Sequence, residues 1–177
     1  MIDPDLIVRC TTEATSEVFS TMFDMTARYE GFASDAQTAD AGLISLVGIT
    51  GEWGGSGVFC CSPVLACMIC ARMLGSELDF SNPVIDEEVL DVVAEVTNML
   101  IGNVKNGLEI VTGPLAISVP TVIHGKNFQF RNSAGQTGVA LAFTSEGETF
   151  EVRVALAPTT EQSGSRPKIP VLGLSHA

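Results

Sequence analysis

At 177 residues the chain can build one domain with a substantial core, and two would be cramped. Apolar residues make up 46% and charged residues 17%, which excludes a chain that is disordered throughout. The net charge is −12, and the nine Lys and Arg are scattered, so no basic stripe for nucleic acid is expected. Acidity of this degree favours solubility and basic patches on partners.

The start, Met1-Ile-Asp-Pro-Asp5, is acidic and lacks the basic and apolar blocks of a secretory signal. Leu6, Ile7, Cys10, Ala14, Val18, Met22 and Met25 recur at helical spacing and predict a helix over residues 5–29. Residues 31–40, small and polar, predict a loop. Leu43 to Ile49 and Gly57 to Cys61 read as strands. Between them lies Gly51-Glu-Trp-Gly-Gly-Ser-Gly57. It has no Gly-Lys-Ser/Thr ending and leads into a strand, so a hairpin is expected instead of a phosphate loop. Trp53 is expected to cover that turn.

Ser62 caps and Pro63 opens a helix that runs to Leu74 and ends at Gly75. The apolar stretch from Val58 to Ala71 is interrupted by Ser62-Pro63 and stops at Arg72. That is shorter than the ~20 residues needed to cross a bilayer, so a soluble, cytoplasmic protein without membrane partners is expected. Cys10, Cys60, Cys61, Cys67 and Cys70 sit in apolar surroundings. An odd number of cysteines without a signal fits reduced, buried, inert thiols. Cys67-Met-Ile-Cys70 lies on an apolar helix, and the two histidines are too remote in sequence to complete a zinc site.

Asn82-Pro83 predicts the start of a long helix, with Asp86, Glu87 and Glu88 near its positive end, and Gly107 its close. At about 100° per residue, Val89, Val93, Val96, Leu100 and Val104 form one buried stripe. Glu95 and Asn98 fall on the opposite side, one turn apart. Four residues either way from Asn98 are Ala94 and Gly102. Both are small, and an interior Gly costs about 1 kcal/mol relative to Ala. A helix that admits another protein's backbone beside Asn98 accounts for that cost. Asp91 and Lys105 share the outward side and can steer a partner; solvated charge is the bland alternative. Asn103 falls near the buried stripe, where a structural hydrogen bond is expected.

Beyond Leu108 the pattern turns to β. Expected strands are residues 109–111 with 115–118, then 121–124, 127–131, 139–144 and 149–156. Glu146-Gly147 is the turn between the last two, and His124 is placed in a hairpin turn. Residues 1–157 are expected to form the domain. Residues 158–177, rich in Thr, Ser, Pro and Gly, are expected to be a disordered tail. The fold class is α+β: a single domain of long helices on a mostly antiparallel or mixed sheet.

There is no candidate Ser-His-Asp set, no carboxylate cluster with metal spacing and no cofactor fingerprint. An acid and amide pair can still serve catalysis when a partner supplies the rest. If that partner carries an aspartyl phosphate beside bound Mg²⁺, hydrolysis needs a water held in line with phosphorus. A carboxamide can hold it, as a glutamine does in GTPases. The acid can anchor the helix by pairing with a lysine near the phosphate.

Glu95-Val-Thr-Asn98-Met-Leu-Ile-Gly102-Asn103-Val-Lys105 resembles the E-x-x-N…G-N signature of the CheC/CheX family of chemotaxis phosphatases. Val119-Pro-Thr-Val-Ile-His-Gly125 is similar to its proline-containing strand and turn. Leu46-Val-Gly-Ile-Thr-Gly51, followed by Gly57-Val-Phe, is similar to its early hairpin. The resemblance spans residues 4–157 and implies a phosphatase for CheY-type response regulators. It implies that Asn98 orients the attacking water and Glu95 docks on the regulator's lysine. Mg²⁺ is then carried by the phosphorylated receiver domain, with no cofactor held by the chain itself. Ala94, Gly102, Asp91 and Lys105 complete the expected partner-binding face. One motif instead of two favours the CheX-like branch, for which a homodimer is the expectation. Two other readings stay open: a module that binds a receiver without chemistry, and a subunit that pairs through a sheet edge.

Overall fold

The computed structural model describes residues 2–33, 42–76, 80–126 and 135–159. Its elements in chain order are α1 (Pro4–Phe23), β1 (Arg28–Phe32), β2 (Gly42–Gly51), β3 (Trp53–Cys61) and α2 (Pro63–Leu74). They continue with α3 (Glu87–Thr112), β4 (Leu115–Ile117), β5 (Thr121–Gly125), β6 (Thr137–Ser145) and β7 (Glu148–Pro158). This is the expected α+β class: among the described residues, three helices lie against one antiparallel sheet of seven strands.

The sheet order is β1-β6-β7-β3-β2, and the far side of β2 carries two short strands end to end. β5 pairs with Gly42 to Leu46, and β4 pairs with Ile49 to Gly51. Ser118 bridges the gap between them: its N–H donates to the Gly48 carbonyl at 2.9 Å, and its Oγ accepts from the Gly48 N–H at 2.9 Å. Strand alternation places Leu43, Val47 and Ile49 of β2 in the core beneath the helices. Phe19 of α1 stacks on Phe150 with ring centres 4.6 Å apart, and Phe150 on Phe143 at 5.3 Å. These stacked rings join α1 to β6 and β7.

Helix α1 stops at Phe23, six residues before the expected end. Asp24 takes a left-handed conformation (φ 53°), and the Met25 N–H turns back to the Phe19 carbonyl at 3.1 Å. Met22 is exposed, and Phe19 and Phe23 take its expected place in the core. Gly31 and Phe32, expected in a loop, belong to β1; residues 34–40 lie outside the described residues.

The early hairpin is present, but its turn is tighter than the glycine run suggested. Gly54, Gly55 and Gly57 are strand residues of β3, and only the stretch around Glu52 turns. A Cβ on Gly57 would lie 2.6 Å from Ile101, so the missing side chain lets α3 approach the sheet. Trp53 packs against the core at this end of the sheet, as expected for a residue covering the turn. Helix α2 has the expected bounds, with the Ser62 hydroxyl accepting the Leu65 N–H at 3.1 Å and Gly75 left-handed at φ 66°.

Helix α3 begins four residues after Pro83 and passes beyond Gly107 to Thr112. Asp86 is the true cap, its carboxylate accepting the Val89 N–H at 3.0 Å. Gly107 is a packing glycine: a Cβ there would lie 2.8 Å from the Cys10 sulfur of α1. Residues 109–111 are therefore helical, not a strand. His124 lies within β5 opposite Leu43 instead of in a turn, and the strand expected over 127–131 lies outside the described residues. At Glu146-Gly147 both residues have positive φ, 51° and 86°, as a two-residue hairpin turn requires. Pro158, placed in the tail by composition, closes β7 opposite Trp53; residues 160–177 lie outside the described residues.

Candidate functional site

Helix α3 carries the candidate site because its two sides differ in what they touch. Val89, Val93, Val96, Leu100 and Val104 are all buried, joined by Val92, Ile101 and Leu108. Burying a side chain of this size is worth about 1.5–3 kcal/mol, so the helix is fixed through that stripe. The outer side is left to solvent: Asp91 and Glu95 are exposed, and Ala94, Asn98 and Gly102 are half-buried.

Asn98 therefore stands at the boundary between the packed and the open side. Its carboxamide makes no hydrogen bond to any described residue, and neither does the Glu95 carboxylate. A carboxamide is both donor and acceptor, so an unengaged one at a half-open position can hold a water or a partner group. Thr97, next in sequence but turned inward, instead spends its hydroxyl on the Val93 carbonyl at 2.8 Å.

The space beside Asn98 comes from Gly102. Among the described residues outside its own turn of helix, a Cβ built there would meet only the Ile117 Cδ1 of β4, at 3.9 Å. The notch is thus open toward solvent and walled by β4. On its other flank, Asp91 and Glu95 join Glu87 and Glu88 around an open groove of about 480 Å³ against Met73 and Leu74 of α2. Every charged side chain lining this groove is acidic, which favours approach of a basic partner surface.

Lys105 is less free than Asp91. Its Nζ lies 2.8 Å from Glu109 Oε1 and donates to the Leu115 carbonyl at 3.1 Å. The same Glu109 oxygen accepts the Leu115 N–H at 2.9 Å. The Lys105 hydrogen bond, followed by that backbone N–H, holds the Glu109 carboxyl below its ordinary range. Glu109 was missed by sequence reasoning because residues 109–111 looked like a strand. The signal was available: Lys105 and Glu109 are four apart, the spacing of an ion pair on a continuing helix. Asn103 is half-buried and makes no hydrogen bond among the described residues, so the expected structural bond is not formed there.

The thiols offer no reactive site. All five cysteines are buried and unpaired, and desolvation pushes the Cys60 thiol up to about 12, with Glu151 adding to the shift. Burial also raises Cys67 and Cys70. Among the described residues no three His, Cys, Asp or Glu side chains gather as a metal site would require. Nor is any described helix long and apolar enough to cross a membrane.

The chain that carries helix α3 matches one known family over more than half of its length. The model of the family described as chemotaxis phosphatase CheX fits residues 43–144, from β2 through β6 and including all of α3. The chain belongs to the CheX family. CheY-P phosphatase CheX of Thermotoga maritima is 25% identical over 114 residues, covering 64% of this chain and 71% of that protein. The crystal structure of chemotaxis protein CheX from Vibrio vulnificus aligns with a TM-score of 0.73 at 22% identity, covering 88% of this chain and 99% of that one. CheX in the CheX-CheY-BeF3-Mg²⁺ complex from Borrelia burgdorferi aligns at 0.68 and 24% identity, covering 89% and 99%. Both solved structures share the fold.

Proposed function

We propose that this CheX-family protein hydrolyses the aspartyl phosphate of a CheY-type receiver domain, with Asn98 orienting the attacking water and Glu95 docking on the receiver. The observation that carries this reading is the Asn98 carboxamide: half-buried, without a hydrogen-bond partner among the described residues, and held on a helix whose opposite stripe is locked into the core. It is supported by the curated relative, whose name is that of a CheY-P phosphatase, and by the CheX partnered with CheY, BeF3 and Mg²⁺. On a carboxylate, beryllofluoride stands in for the phosphoryl group.

The chemistry divides between the two proteins. The receiver brings the phosphorylated aspartate and the Mg²⁺ that neutralises charge on the phosphoryl oxygens. This chain brings geometry. Water bonds to phosphorus through its oxygen, and the P–O bond to the aspartate breaks. The carboxylate departs with the electron pair, and the water protons leave on inorganic phosphate. Asn98 neither gains nor loses a proton. Its amide fixes the water in line with the breaking bond, which turns an encounter with bulk solvent into a positioned attack.

Ala94 and Gly102 allow the receiver's backbone to approach Asn98. Glu95 supplies a carboxylate for a cation at the mouth of the receiver's site, and Asp91 extends that acidic surface. The test is the phosphate lifetime of a receiver domain from the same genome, with and without this protein. Asn98→Ala is expected to bind the beryllofluoride-activated receiver within about threefold of wild type and to lose most of the acceleration, on the order of 100-fold. An Asn98→Ala protein that binds and still accelerates hydrolysis removes Asn98 from the mechanism. Phosphate-dependent binding with an unchanged lifetime makes the chain a binding module instead.

A further inference from the structure

Asn98, Gly102, Lys105 and Glu109 share one stripe of α3, and its two ends behave differently. The Asn98 end is unengaged, while the Glu109 end is fastened to β4. Lys105 and Glu109 hold each other at 2.8 Å and engage both backbone groups of Leu115. Glu109 takes the N–H and Lys105 takes the carbonyl. This cross-link is additional to the helix-to-strand connection, which is only Gly113 and Pro114.

β4 needs such a tie. It has three residues, lies at the sheet edge and pairs with Ile49 to Gly51 of β2; past its far end Ser118 adds two hydrogen bonds to Gly48, while the Leu115 end has the Lys105–Glu109 tie. A strand that short is weakly held by its own ladder. Two residues on from Leu115 is Ile117, whose Cδ1 lies 3.9 Å from a Cβ built at Gly102, the one described atom outside the local helix within 4 Å. Ile117 stands between two anchors, Leu115 on one side and Ser118 on the other, so the wall of the Asn98 notch depends in part on where Leu115 is fastened.

We propose that Lys105 and Glu109 are positioning residues for the phosphatase reaction: together they clamp Leu115, and through β4 they hold Ile117 as a fixed stop beside Asn98. This role rests on the receiver-phosphatase reading above. A water held for in-line attack tolerates little displacement, because misplacement of about 1 Å can cost about 100-fold in rate. A partner that seats against a loose β4 binds nearly as well but brings its phosphorus to the amide in the wrong place. The clamp thus acts on the rate within the complex more than on its formation.

The decisive variant is the exchanged pair, Lys105→Glu with Glu109→Lys. It keeps the net charge and the i, i+4 ion pair, now in the orientation that suits an isolated helix better. It also places a donor where the Leu115 N–H needs an acceptor, and an acceptor where its carbonyl needs a donor. If the two residues are only a helix ion pair, the exchange is silent. If they clamp Leu115, it fails. The experiment measures dephosphorylation of a same-genome receiver at saturating protein, and binding of that receiver activated with beryllofluoride and Mg²⁺.

The exchanged protein and Glu109→Ala are each expected to lower the saturating rate about tenfold with affinity within about threefold. Amide exchange should quicken over residues 115–117 while α2 stays protected. A full saturating rate in the exchanged protein overturns the positioning role and leaves the phosphatase reading intact. A wild-type protein that leaves the phosphate lifetime unchanged overturns the phosphatase reading, and the positioning role with it. Lys105→Arg, which keeps both donations, is expected to retain most of the rate and guards against a defect caused by any change at that site.

Discussion

Helices α1 and α3 lie on the same face of the sheet and share a Glu followed three residues later by a polar residue, yet the two polar residues are engaged differently. In α1, Glu17 is followed three residues later by Ser20; in α3, Glu95 is followed by Asn98. The Ser20 hydroxyl donates to the Glu17 carbonyl of its own helix at 3.1 Å, and Thr21 donates to the same carbonyl at 2.7 Å. A hydroxyl one carbon from the backbone bends back to the preceding turn. The Asn98 carboxamide is longer, is not engaged in that way, and keeps donor and acceptor together at the surface. The surroundings differ as well. Four residues either side of Ser20 are Ser16 and Asp24, where α3 has Ala94 and Gly102. Reach, an unengaged amide and clearance separate a surface helix from a candidate site.

The largest effect that separates the two helices is the loss of acceleration in Asn98→Ala described above. Its melting temperature should stay within a few degrees of wild type, since no hydrogen bond among the described residues is removed. Calorimetry alongside the phosphate assay checks both halves of that statement. A melting point that drops sharply would make Asn98 a fold residue and dissolve the contrast with Ser20.

Next come the two glycines of α3, which the helix tolerates for opposite reasons. Gly107→Ala puts a Cβ 2.8 Å from the Cys10 sulfur and is expected to destabilise the fold by about 1–3 kcal/mol. Gly102→Ala meets no atom nearer than 3.9 Å and is expected to stabilise it by up to about 1 kcal/mol, while weakening receiver binding. Denaturant midpoints measure the first pair of effects, and titration with activated receiver measures the last. A Gly102→Ala protein with undiminished binding would show that the notch is not used.

Acid gives a smaller effect. Lys105 holds the Glu109 carboxyl below its ordinary value of 4.5. A carboxylate depressed on folding contributes stability that is complete above its unfolded pKa and disappears as pH falls through the folded one. The stability gap between wild type and Glu109→Gln should be widest at neutral pH and close below pH 4.5 as acid is added. Unfolding curves at pH 7 and pH 3 check this. The smallest expected effect is a null result from grafting. Ser20→Asn gives α1 an amide three residues after Glu17, the spacing found on α3, and in an Asn98→Ala background it should restore no dephosphorylation.

Much of this was written locally in the chain. The α2 caps, the valine stripe of α3 and the Glu146-Gly147 turn each follow from side chains within one or two turns of each other, and all are found as expected. The outward side of Glu95 follows from the same helical period; Asn98, which that period puts opposite the buried stripe, is half-buried. One error came from a local cap, and the others from contact between segments apart in sequence. Asn82-Pro83 offered a plausible helix start, but the carboxylate of Asp86 reaches the Val89 N–H and outweighs it. Gly107 looked like a terminator because the sequence does not reveal that α1 presses a cysteine against it. The bonds from Lys105 to Glu109 and Leu115 are not legible either, because they need a helix that continues through residues 109–111. Strand order likewise depends on registers such as Ser45 opposite Val122, which no short window contains.

The distance between Gly57 and Ile101 has a mechanical consequence. The height of α3 over the sheet is set by an absent methyl group on a strand buried beneath it. Any larger residue at position 57 would jack the helix outward and carry the amide with it, like a shim under a tool rest. Cutting depth at the surface is therefore adjustable from a floor that no visiting protein ever touches.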